Sequence, residues 1–142
     1  MTDWRSDLSS FLKGSEAKRK TAAGSDAARF VADVAVPAME ELRAELEKHG
    51  REVTLRESES SATIAVYVDG DEEITYRIQF RTYPDRILPY ADIRVRERKG
   101  LRLVRFESMI RSGKPDYRMA DISREEIIRH FLDQYRRRAR TD

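Results

Sequence analysis

The chain has 142 residues, 39% apolar and 38% charged, with 28 bases against 26 acids and no cysteine. This length supports one domain with a buried core, and the missing thiols exclude disulfides and thiolate chemistry. No apolar run approaches the roughly 20 residues of a membrane span, and "MTDWRSDLSS" lacks a signal-peptide core, so a soluble, cytoplasmic protein is expected.

"DWRSDLSSFL" sets Trp4, Leu8, Phe11 and Leu12 at helical spacing, which predicts a short amphipathic helix. "KGSEAKRKTAAGS" follows as a connector, so residues 1–24 read as a helix and linker, 25–138 as the compact core and 139–142 as a basic tail. From Ser25 or Asp26 to about Lys48, Phe30, Val34, Ala38, Leu42 and Leu46 form an i+4 ladder flanked by Val31 and Met39. Pro37 falls inside this helix and is expected to kink or divide it, and Gly50 marks its end.

Alternation of apolar and polar residues then predicts five strands: 51–57, 62–69, 73–82, "ADIRVRER" from 91, and 101–107. "YPDRILPY" reads as a long loop, and "DYRM" as a brief extension before the last helix. That helix starts at Ser123, whose spacing to Glu126 fits a capping box, and its apolar face is Ile127, Ile128, Phe131, Leu132 and Tyr135.

Turn lengths fix the expected register. A two-residue turn at Lys99-Gly100 sets Ile93 opposite Phe106 and Val95 opposite Val104. At "VDGDE" a two-residue turn would bring Val66 against Glu73, so a three-residue loop (69–71) is expected, with Val66 opposite Ile74. The predicted fold is α+β: a five-stranded antiparallel meander with N-terminal helices and a C-terminal helix on one face. Phe80, Val95 and Phe106 are expected to be buried together.

Chemistry-bearing patterns are few. His49 and His130 are far apart, and no zinc, phosphate-loop, EF-hand, nucleophile-elbow or dinucleotide signature is present. "SGKP" has Ser108 where a phosphate loop needs Gly, and Pro115 where it needs Ser or Thr. His130, beside the apolar face, is expected to pack rather than act as a base. The chain is read as non-enzymatic, with no metal and no cofactor.

The other sheet face collects arginines: 22 of the 28 bases are Arg, and guanidinium forks suit carboxylates and phosphates. Arg77, Arg81, Arg94, Arg96, Arg98 and Arg105, with Tyr67, Leu101 and Leu103, are the predicted partner-binding residues, with Glu73, Asp92 and Glu107 as the acids among them. Such a face is either simply solvated or a docking surface for an acidic protein or a second copy of the chain. The alternative reading is nucleic-acid binding, with Arg136, Arg137, Arg138 and Arg140 of "YRRRAR" adding to the basic surface.

Overall fold

In the computed structural model, which describes residues 26–96, 103–111 and 116–138, Pro37 sits inside an unbroken helix. This helix, α1 (residues 26–48), winds as a π-helix over Val31–Ala35 and as an α-helix over Val36–Lys48. In a regular helix the proline ring would strike the carbonyl four residues back, at Asp33. The wider turn, in which the Val36 N–H donates to the Val31 carbonyl, relieves that contact. Ala35 and Val36 keep helical dihedrals, so the proline does not divide the helix. The buried stripe passes through Phe30, Val31, Ala35, Ala38, Met39 and Leu42, leaving Val34 half-buried.

Gly50 ends the helix as expected. Its φ of 80° is open to glycine, its N–H donates to the Glu47 carbonyl, and the Arg51 N–H donates to the Leu46 carbonyl. These are the two bonds of a Schellman motif.

Five antiparallel strands follow in the order β1 (Glu52–Ser58), β2 (Ser61–Val68), β3 (Asp71–Thr82), β4 (Ile87–Arg96) and β5 (Leu103–Met109). After a 3-10 turn at Met119–Asp121, helix α2 (Arg124–Arg138) closes the fold. The architecture is the α+β meander the sequence predicts. Both helices lie on one sheet face: Phe131 of α2 meets Tyr76 edge-on at 5.3 Å, and Phe30 of α1 meets Phe80 at 5.8 Å. Ile64, Val66, Ile74, Ile78, Ile93 and Val95 fill the space beneath. No helix among the described residues is long and apolar enough to cross a membrane.

The predicted register holds, with Ile93 opposite Phe106, Val95 opposite Val104 and Val66 opposite Ile74. The route at the β2–β3 turn differs. Asp69 and Gly70 form a two-residue turn with positive φ at both positions, which matches the twist of the strands. The extra residue is absorbed as a bulge: Tyr67 pairs with Glu72 and Val66 with Ile74, leaving Glu73 unpaired.

Four other expectations are corrected. β4 begins at Ile87 rather than 91, with Pro89 inside it opposite Phe80. β5 reaches only to Met109, opposite Tyr90, so β4 has one neighbour at Pro89, a place where proline is tolerated. Phe80 and Phe106 face the core but are only half-buried, because they pack at its margin. "DYRM" is not a strand, since the 3-10 turn begins within it. The capping box is half made: Ser123 accepts from the Glu126 N–H at 3.2 Å, but the Glu126 carboxylate instead takes both Nε and Nη2 of Arg111 at 2.8 Å.

Candidate interaction surface

The sheet face turned away from the helices carries Arg56, Arg77, Arg81, Arg94, Arg96, Leu103 and Arg105. Strand pairing places Arg94 directly opposite Arg105, and in the next rung Asp92 opposite Glu107, so two like-charged pairs lie side by side. The diagonals resolve the repulsion. Arg105 donates from Nε and Nη2 to Asp92, at 2.7 Å for the first. Arg81 donates to Glu107 at 2.6 Å while lying 4.6 Å over the Tyr90 ring.

Arg94 finds its acid elsewhere. Its Nε and Nη2 donate to the two oxygens of Glu72 at 2.9 and 2.6 Å, and Thr75 Oγ1 donates to the same carboxylate at 2.7 Å. The bulge makes this possible, because it turns Glu72 outward and Glu73 inward. Glu73 was expected among the arginines. It lies instead in the helix layer, where Tyr135 donates to it at 2.6 Å and Arg51 stands 3.4 Å away. Burial and the Glu73 carboxylate push the Tyr135 phenol up to about 12. Burial works to raise Glu72, but the hydrogen bonds from Arg94 and Thr75 prevail and hold it below the usual carboxylate range.

The exposures of these pairs are unequal. The Glu72 and Asp92 side chains are 10% and 7% exposed, whereas those of Arg94 and Arg105 are 49% and 69% exposed. The acids therefore lie beneath and the guanidinium heads above. Each head commits Nε and Nη2 downward, leaving its remaining N–H donors turned to solvent. Arg77 donates to Thr63 at 3.1 Å, and Arg96 reaches the Glu72 carbonyl at 3.5 Å. Leu103 is 40% exposed next to Arg96, and Tyr67 is half-buried opposite Glu72.

Arg98, Leu101, Arg140, the Arg138 side chain and the predicted N-terminal helix lie outside the described residues. Arg136 and Arg137 belong to α2, in the layer on the opposite side of the sheet, and Arg137 pairs with Asp133 at 3.3 Å. Among the described residues, the two basic groups therefore belong to opposite layers.

Sequence reasoning missed a second polar cluster, between β5 and α2. His130 Nδ1 lies 2.7 Å from the Tyr76 hydroxyl, and its Nε2 lies 3.0 Å from Ser108 Oγ. Tyr76 is buried, and burial raises its pKa well above the usual value, so it keeps its proton, and where that hydroxyl donates, Nδ1 is the acceptor. Nε2 then carries the imidazole hydrogen and donates to Ser108. A nucleophilic serine needs an acceptor there, which Nε2 offers only in the other tautomer. Burial also lowers the His130 pKa. The signal in the sequence was Ser108 and Gln134, polar residues at inward positions of a strand and a helix.

Among the described residues no three His, Asp or Glu side chains converge to hold a metal ion. A cavity of about 620 Å³ between the start of α1 and the β3–β4 turn carries Asp26, Asp33 and Asp85 against Arg29, Arg86 and Arg118, with no single sign to select a ligand. The chain matches no family model, no curated protein and no solved structure, so its function has to be argued from this geometry.

Proposed function

We propose that this is a non-enzymatic binding protein whose outer sheet face docks an acidic protein surface. The observation that carries the reading is the layering of Glu72 and Asp92 beneath exposed Arg94 and Arg105. Each acid fixes the orientation of its guanidinium, so less conformational entropy is lost when a partner carboxylate binds the free edge. Leu103 supplies an apolar contact between the charged heads. A second copy fits the same face less well, because two-fold pairing would bring like charges together.

The test is binding of fluorescent poly-L-glutamate at about 50 mM salt, followed by anisotropy. Arg56 and Arg96, which hold no buried carboxylate, are replaced by Glu. The expected result is binding that weakens by about tenfold or more in the double variant, with an unchanged melting temperature. No binding overturns the reading, and binding indifferent to R56E/R96E confines the contact to Arg94 and Arg105. Preferential binding to duplex DNA, lost on removing residues 136–142, would move the function to nucleic acid.

A further inference from the structure

The cavity of about 620 Å³ beside the start of α1 carries both signs of charge, but on separate walls. On the α1 wall Asp26 and Asp33 flank Arg29, a surplus of one acid. On the facing wall Asp85 pairs with Arg86 at 2.8 Å, which leaves Arg118 as the surplus base. Asp26, Arg29, Asp33 and Arg118 join no ion pair among the described residues, and all four are exposed. The same cavity is lined by half-buried Val34, Ile87 and Met119, which add apolar surface to the charges. Asp33 and Val34 belong to the π turn that accommodates Pro37, a local widening frequent at functional sites. Taken as a sphere, the cavity is about 10 Å across, the length of about three extended residues at roughly 3.4 Å each.

We infer that this cavity binds a short apolar peptide by its two free ends, the ammonium at Asp33 and the carboxylate at Arg118. An ion of one sign meets as much repulsion as attraction here, whereas a zwitterion meets an opposite charge at each end. Asp33 lies two turns into α1, past the first turn, where the positive end of the helix dipole would repel an ammonium. Arg118 offers a planar fork that matches a carboxylate. Aliphatic side chains between the two ends cover Val34, Ile87 and Met119 and remove their apolar surface from water. A single amino acid is too short to reach both walls. The interior of a longer chain lacks the two terminal charges, so the cavity favours a small peptide over a protein segment. This site is separate from the outer sheet face, and neither reading depends on the other.

The experiment is a titration of the isotope-labelled full chain with Leu-Ala-Leu, followed by amide NMR. The expected result is perturbation of the amides of Asp33, Val34, Ile87 and Met119, with those of Arg94 and Arg105 unmoved. Blocking either peptide end, by N-acetylation or C-terminal amidation, should weaken binding about threefold or more. Arg118→Gln should weaken the free-acid peptide likewise and the amidated one no further. Asp33→Asn should weaken the free amine and the acetylated peptide no further. Both residues are exposed, so the variants should keep the parent melting temperature. No response at about 1 mM peptide overturns the inference. Equal binding of the doubly blocked peptide overturns it as well, because apolar contact alone would then hold the ligand. Perturbation centred on the outer sheet face overturns it too and assigns the peptide to that surface.

Discussion

Arg94 and Arg105 stand directly opposite one another on β4 and β5, and each is turned to its own buried acid, Glu72 for the first and Asp92 for the second. The carboxylate beneath each guanidinium offsets the repulsion that opposed like charges would otherwise exert.

The Arg105–Asp92 pair is asymmetric, with the acid buried and the base exposed. Removing the base strands a buried charge, whereas removing the acid's charge leaves a solvated base. Arg105→Ala should therefore lower the melting temperature more than Asp92→Asn does, and the double variant should recover part of the loss. Thermal scans of the three variants check the order. Equal losses would mean that water already solvates Asp92.

Glu73 ties the bulge to α2 through Tyr135 and Arg51. Glu73→Gln should cost about 1–2 kcal/mol and bring the Tyr135 phenol down from about 12 toward 10, read by ultraviolet titration. Because the folded pKa is raised, the chain should lose stability as pH climbs from about 10 to about 12, and the variant should lose less.

How much of this was legible in the sequence depends on the range of the signal. Alternation and turn spacing are local, so strand existence, the Val95–Val104 register and the Gly50 stop could be read directly. The bulge was not legible: a two-residue turn plus one bulged residue gives the same distant register as a three-residue loop. That ambiguity put Glu73 on the wrong face and hid Glu72 as the acid that Arg94 needs. The Tyr76–His130–Ser108 chain joins β3, α2 and β5, and no local pattern connects residues 54 positions apart. Pro37 was legible as a disturbance, but its accommodation by a π turn depends on how the helix packs.

Burial lowers the His130 pKa, while an unfolded chain titrates near 6.5, so in between the unfolded state holds more protons. Stability should rise with pH across this window and be lost as pH falls below about 6.5. Protonation would also put an N–H against the Tyr76 hydroxyl. Denaturant midpoints at pH 7.5 and 5.5 check this. His130→Gln should flatten the difference, leaving the losses from Glu72 and Glu126 to begin as pH falls through the usual carboxylate range.

Two phenylalanines calibrate the core. Phe131 is fully buried against Tyr76 and Tyr135, so Phe131→Ala should cost about 3–5 kcal/mol. Phe80 is half-buried against Phe30, and its truncation should cost about half as much. Urea unfolding of both variants gives the ratio, and a reversed order would mean that the sheet closes more tightly over α1 than over α2.

Arg94 and Arg96, two residues apart on the same face, should separate folding from binding. The sequence alone treats them as equivalent surface charges, so reversing both is expected to leave stability untouched. The structure distinguishes them. Arg94 holds both oxygens of a nearly buried Glu72, whereas Arg96 reaches only a backbone carbonyl at 3.5 Å. Arg94→Glu sets two carboxylates against each other and should cost about 1–2 kcal/mol, the solvent-exposed half of the arginine limiting the loss. Arg96→Glu should stay within about 0.5 kcal/mol of the parent chain. Binding of poly-L-glutamate should weaken in both. If Arg96→Glu binds as the parent does while Arg94→Glu does not, the docking contact lies at the Arg94–Arg105 pair rather than across the whole face; if neither changes binding, the arginines serve only the fold.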